Sequence, residues 1–234
     1  MRISVIIPAY NEEENLPKII KSLRKQTFKD FEIIVVDNNS KDKTFNIAKK
    51  LADKVYKCKE QGISPARNFG ALKSKTDIIA FIDADSIADP KWLETINTAF
   101  NNDKNLSAIS GLDLYENPHW FKRLQLNLFT YTVFYTLKIL NLFGNPIVTG
   151  NNMAIKRELF FKVRGFDKLI VEDYYFSRKL GKLKNIKTCN NKKMEITLSS
   201  RRMEKGGISK TIWLWGVCMF KKIPAEKYVL HDKL

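Results

Sequence analysis

The chain alternates between short apolar runs and longer segments in which apolar residues recur every three or four positions. Arg2 to Ile7 is an apolar-rich run that ends in Pro8-Ala9-Tyr10-Asn11-Glu12. Beyond it Leu16, Ile19, Ile20 and Leu23 stand at helical spacing, which predicts a strand followed by an amphipathic helix. Phe31 to Val36 predicts a second strand, closed by the polar loop Asp37 to Thr44, and Phe45, Ile47, Ala48, Leu51 and Ala52 mark the inner face of the next helix. A short strand around Val55-Tyr56, a helix from about Pro65 to Lys73 and a strand over Thr76 to Ile82 follow. Nearly continuous apolar strands interleaved with helices are those of an α/β fold whose parallel sheet is covered on both faces. Ligands of such sheets bind outside the carboxyl ends of the strands. Glu12, Asp37, Asp83 and Asp85 all lie just past strand ends, so one cleft would collect all four.

Asp83-Ala84-Asp85 follows a short, mostly apolar strand. Two carboxylates one residue apart serve one site if the backbone turns between them: one holds a hard divalent cation, the other a ribose hydroxyl or a second metal contact. Val5 to Glu12, Val36 to Thr44, Ala66-Arg67-Asn68-Phe69-Gly70 and Asp83-Ala84-Asp85-Ser86 together resemble, in order and spacing, the family 2 inverting glycosyltransferases with a GT-A fold. Thr149-Gly150-Asn151-Asn152, Gly165-Phe166-Asp167 and Glu172-Asp173 resemble that family's acceptor-side segment, so the likeness covers roughly residues 1 to 180. It implies a nucleotide-diphosphate sugar donor, UDP- or GDP-linked, and transfer with inversion. Pro8, Ala9, Tyr10, Glu12 and Asp37 would receive base and ribose, and Arg67 would support base or phosphate. Asp85, with Asp83 beside it and Ala84 between, would hold Mn²⁺ or Mg²⁺. Asp173 would be the general base with Glu172 in reserve, and Asn151 and Asn152 would bond the donor sugar or the acceptor.

Charge divides the chain unequally. Residues 1–117 carry 18 Lys+Arg against 17 Asp+Glu, whereas 118–234 carry 23 against 8. A single domain over 1–234 is expected, with a balanced nucleotide-sugar half at 1–117 and a basic acceptor half at 118–234. The basic half would attract polyanions. Its apolar runs, which nucleic acid gives no purpose, favour an anionic membrane surface instead. Trp120 to Phe143 reads as an aromatic-rich helix with Lys122 and Arg123 at its start, and Gln125, Asn127, Lys138 and Asn141 argue against its spanning a bilayer. Residues 211–222 form a second interfacial candidate, Ile212 to Phe220 followed by Lys221-Lys222. Between the two, Arg201, Arg202 and Lys210 flank a Gly pair suited to an anionic group, in distant likeness to the acceptor-phosphate loop of polyprenyl-phosphate mannosyltransferases. Those enzymes tend to carry Gln two places after the second aspartate, where Ile87 stands here. The acceptor expected is therefore a glycan or a lipid-linked sugar.

Cys58, Cys189 and Cys218 have neither paired nor metal-ligand spacing and fit reduced thiols. Met1-Arg2 leads straight into the first strand, so a peripheral enzyme on the cytoplasmic face is expected. Two other classes can be weighed. A non-catalytic membrane or nucleic-acid adaptor on the same scaffold would lack a cleft carboxylate, and none is missing. A nucleotidyltransferase would carry a Gly-rich cationic loop after the first strand, and Pro8-Ala9-Tyr10-Asn11-Glu12 has neither feature.

Overall fold

The computed structural model describes residues 1–117, 119–200, 217 and 221–225. Its first half is β1 (Ile3–Ala9), α1 (Leu16–Arg24), β2 (Phe31–Asp37), α2 (Thr44–Leu51), β3 (Lys54–Lys57), α3 (Ile63–Lys73) and β4 (Ile78–Ile82), close to the boundaries expected from the pattern. Then come β5 (Ser86–Ala88), α4 (Trp92–Asn102), β6 (Leu106–Glu116), α5 (Trp120–Leu142), β7 (Asn152–Lys156), α6 (Arg157–Lys162), α7 (Glu172–Gly181) and β8 (Lys187–Ser199).

The strands form one sheet in the order β3-β2-β1-β4-β7-β6-β8-β5. β1 pairs in parallel with β2 and β4, β2 with β3, and β6 with β8, while β7 runs antiparallel to both β4 and β6. Side chains alternate across the sheet, which explains the continuous apolar runs. Ile3, Val5, Ile7, Ile33 and Val35 face one core with Leu16, Ile19, Leu23, Trp92 and Ile96, whereas Ile6, Ile34, Val36, Ile79 and Phe81 face another with Ala66, Phe160, Phe166 and Phe176. Pro8 is tolerated in a central strand because pairing of β1 with β4 stops at Ile6↔Phe81.

Two topological facts build the site. β7 starts where β4 ends, with Asn152 opposite Ile82. β6 runs on past its last β7 pair, Ser110↔Met153, and so carries Asp113 to the same edge of the sheet.

The long helix expected over 120–143 is α5. Asn127 and Asn141, which interrupt its apolar character, tie it to the sheet: Asn127 Oδ1 accepts from Tyr115 N at 2.7 Å, and Asn141 Oδ1 from Thr188 Oγ1 at 2.6 Å. No helix among the described residues is long and apolar enough to cross a membrane. The second interfacial candidate, 211–222, lies outside the described residues except for 217, 221 and 222.

Candidate active site

β4 ends in a tight turn, Ser86 N donating to Asp83 O at 3.2 Å, so the backbone does reverse between the two aspartates. Asp83 and Asp85 are both half-buried, with Ala84 packed beneath.

Arg67 is the hub of the cleft. Its side chain leaves α3 under Gly150 and is almost wholly buried, at 1 % exposure. Nη2 donates to Asp83 Oδ1 at 2.7 Å and Nη1 to Glu172 Oε1 at 2.5 Å, and the guanidinium lies 5.5 Å from the Phe166 ring. Burial works to lower its pKa, but Asp83 and Glu172 outweigh that and hold it above the ordinary value. Both arms of the fork are thus spent on carboxylates. Arg67, expected to support base or phosphate, is turned inward here, because a buried cation needs the anions that the strand end and α7 bring to it.

The acceptor side is built from α7, β6 and the loop before β7. Glu172 and Asp173 open α7. Asp173 Oδ1 accepts from Tyr174 N at 2.8 Å and Oδ2 from Gly150 N at 3.4 Å. Burial raises the pKa of both carboxyls, and each lies in the other's field. Gly150 has no room for a side chain, since a Cβ would lie 2.7 Å from Arg67 Nη1. Gly165, at φ +59°, adopts a conformation other residues avoid, and Asn68 brackets the next residue, accepting from Phe166 N and donating to Phe166 O.

Asn151 and Asn152 meet a residue the sequence reading missed. Asn151 Nδ2 donates to Asp113 Oδ2 at 2.7 Å and Asn152 Nδ2 to Asp113 Oδ1 at 2.9 Å. Asn152 also donates to Leu112 O and Met194 O and accepts from Trp92 Nε1 at 2.9 Å. Asn152, expected to bond the donor sugar or the acceptor, has no exposed surface and every side-chain polar atom engaged by the scaffold. Burial, together with the nearby charges of Asp83 and Asp173, pushes Asp113 up to about 6. Asp83, Glu172 and Asp173 therefore share one guanidinium, and Asp113 lies in the field of Asp83 and Asp173.

On the donor side Ala9 pairs with Asp37, and Asn38 N donates to Ala9 O at 2.8 Å. Asp37 is buried, and its Oδ1 has no hydrogen-bond partner among the described residues. Such an orphaned acceptor is costly unless a ligand N–H or O–H completes it. Tyr10 stands at the rim, 45 % exposed, and Pro8 lies beneath. Glu12 is buried, Oε2 accepting from Asn15 Nδ2. The loops after β1 and β2 are stitched together: Asn11 N to Ser40 Oγ, Lys41 N to Asn11 Oδ1, Glu13 N to Asp42 Oδ2, Lys43 N to Glu13 Oε2 and Glu12 N to Thr44 Oγ1. Arg201, Arg202 and Lys210 lie outside the described residues.

Among the described residues no group of three or more His, Cys, Asp or Glu could hold a metal ion unaided. Mg²⁺ and Mn²⁺ sites on phosphate substrates use one or two carboxylates and complete their shell with substrate oxygens and water. Asp83 and Asp85, hard oxygen donors at a strand end, fit that kind of site.

The family model described as Glycosyl transferase family 2 matches residues 4–164. A glucosyl-dolichyl phosphate glucuronosyltransferase of Haloferax volcanii is 30 % identical over 181 residues, covering 71 % of this chain and 56 % of the relative. A 4,4'-diaponeurosporenoate glycosyltransferase of Staphylococcus haemolyticus is 36 % identical over 138 residues, 55 % of this chain and 36 % of the relative. The chain thus spans between about a third and three fifths of these relatives' lengths. In fold it is similar to the mannosyltransferase PcManGT from Pyrobaculum calidifontis in complex with GDP-Man and Mn²⁺, with a TM-score of 0.66 and 20 % identity over 99 % of this chain and 68 % of that one. The fold is therefore GT-A, the expected α/β sheet with helices on both faces, and this chain belongs to glycosyl transferase family 2.

Proposed function

We propose that the chain transfers a sugar, with inversion, from a nucleotide-diphosphate donor to a lipid-linked or membrane-surface glycan. The observation that carries the reading is the carboxylate set gathered around Arg67, Asp83 on the donor side and Glu172 and Asp173 on the acceptor side, with Asp85 across the turn from Asp83. Asp37, with its unpaired Oδ1, receives the base or ribose, and Pro8, Ala9, Tyr10 and Glu12 shape that wall. Asp85, with Asp83, would hold a divalent cation; bound there, it would neutralise charge on the departing diphosphate.

Asp173 is better suited than Glu172 to serve as base. Glu172 is hydrogen-bonded to Arg67, whereas Asp173, among the described residues, takes its carboxylate hydrogen bonds from main-chain N–H groups and feels Arg67 through its charge. Asp173 takes the proton of the acceptor hydroxyl, the freed oxygen bonds to the anomeric carbon, and the bond to the diphosphate breaks with its electron pair. Asn151, its Nδ2 committed to Asp113, presents a carbonyl oxygen that accepts from a sugar hydroxyl. A single domain with a donor half at 1–117 and an acceptor half at 118–234, peripheral on the cytoplasmic face, accords with this division of labour. The Haloferax relative's name, a glucosyl-dolichyl phosphate enzyme, supports the lipid-linked acceptor.

The test is release of nucleoside diphosphate from a panel of UDP- and GDP-sugars, with and without Mn²⁺. The expected result is turnover of one donor that vanishes in EDTA and in Asp85→Asn. Full activity in chelator overturns the metal assignment, and silence with every donor overturns the donor class.

A further inference from the structure

An apolar stripe runs along the outer face of α5, interrupted by Lys138 at its edge. Trp120, Phe121, Leu124, Leu128, Ile139 and Leu142 are all more than half exposed, from 53 % for Ile139 to 78 % for Leu142. At 100° per residue these side chains fall on one arc of about 100°, with Tyr131 and Tyr135 inside it. The opposite face, with Leu126 and Phe134, is buried on the sheet. Soluble monomers rarely leave so long an apolar stripe in water without a use for it.

Beside the stripe, between α5 and β8, lies a cleft of about 390 Å³ lined by Tyr135, Lys138, Asn190, Asn191, Lys192 and Lys193, among others. The β6–β8 ladder explains it. Its register jumps from Ser110↔Asn190 to Leu112↔Glu195, so the residues around Lys192 and Lys193 bulge out of the pairing towards the helix. No acidic residue lines the cleft, and Tyr135 belongs to both cleft and stripe.

We propose that the outer face of α5 and this lysine cleft form a docking surface for an anionic phospholipid bilayer, the cleft seating the phosphate of one lipid headgroup. The inference rests on the membrane-surface reading above and gives it a place on the molecule. Charge selects the occupant. The chain carries a net +16, so a second copy laid on this face meets repulsion, whereas an anionic leaflet is attracted. The stripe enters the boundary between headgroups and acyl chains, and the lysines stay with the phosphates. α5 is fastened at Asn127 to Tyr115, two residues beyond Asp113, so docking also holds the active-site edge near the lipid surface.

Flotation of the full chain with phosphatidylcholine vesicles, with and without 30 % phosphatidylglycerol by design, tests the surface. Two variants probe it, Leu128→Gln/Ile139→Gln for the stripe and Lys138→Ser/Lys192→Ser/Lys193→Ser for the cleft. Lys18→Ser/Lys21→Ser/Lys25→Ser on and just after α1 is the charge-matched control. Wild type is expected to float only with the anionic vesicles. The cleft variant should weaken binding on the order of a hundredfold, since each lysine near such a surface is worth about fivefold, and the control should weaken it far less. Equal losses in cleft variant and control overturn the headgroup seat, and undiminished binding of the stripe variant overturns the stripe. If wild type ignores vesicles, the proposal falls; light scattering then assigns the face to a second copy if dimeric, or to the chain's own Ile212–Phe220 segment if monomeric. Donor turnover, measured in the same preparations without lipid, reports separately on the catalytic reading.

Discussion

Replacing Arg67 by Met keeps most of the side chain's volume and removes the one charge that Asp83 and Glu172 share. Taking away one partner of a buried ion pair typically costs ~3–5 kcal/mol, because the other charge is left uncompensated. For a chain of this length that corresponds to a fall in Tm of roughly 10 °C. The cost should depend on pH, and its sign follows from the carboxyls. Arg67 pulls the pKa of Glu172 down against burial. Without it the folded-state pKa values of Glu172 and Asp173 rise further above their unfolded values. A carboxyl raised in this way contributes stability that is present at low pH and lost as pH rises through its folded pKa. The deficit of Arg67→Met should therefore be small near pH 5 and largest near pH 8, steepening by ~1.4 kcal/mol per pH unit for each extra proton held. Urea unfolding followed by tryptophan fluorescence at pH 5, 6.5 and 8 measures it. A deficit equal at all three values, or none, would refute the idea that Arg67 is the counter-charge of the cleft.

Three further outcomes are expected. Asp173→Asn should lower transfer by a factor on the order of 10²–10⁴, the usual worth of a positioned base, while donor affinity by calorimetry stays the same; a collapse of donor binding would move Asp173 to the donor site. Asp113→Asn should flatten the pH dependence of stability between pH 4 and 7: the carboxyl, raised by burial to about 6, stabilises below pH 4 and loses on the order of 2 kcal/mol as pH rises, so an unchanged profile counts against a buried, titrating Asp113. Gly150→Ala forces a Cβ within 2.7 Å of Arg67 Nη1 and should cost ~1–3 kcal/mol by overpacking along with most activity; wild-type Tm and turnover would show that the loop yields.

The donor half was readable because its determinants are local. Strands buried on both faces announce themselves as apolar runs, and each carboxylate of that half follows its own strand directly. Asp113 escaped notice because its partners, Asn151 and Asn152, arrive 38 and 39 residues later through a helical excursion. The pairing of Arg67 with Glu172 was not legible, since nothing near Arg67 in the chain foretells a partner 105 residues on. The outward face of α5 was legible in kind but not in extent. Apolar residues occupy both sides of that helix, and only the sheet decides which side is inner.

The five bonds that lace the loop after β1 to the loop after β2 bear on the thermodynamics of ligand capture. Each joins a side chain of one loop to a main-chain N–H of the other, so the walls that would receive a nucleotide are ordered before it arrives. Ordering paid during folding is not paid again on association. Cutting a single lace, as in Thr44→Val, should accordingly register in calorimetry as a less favourable binding entropy with little change in enthalpy. The donor wall is thereby a fixed part of the fold, finished before any acceptor surface is fitted to it.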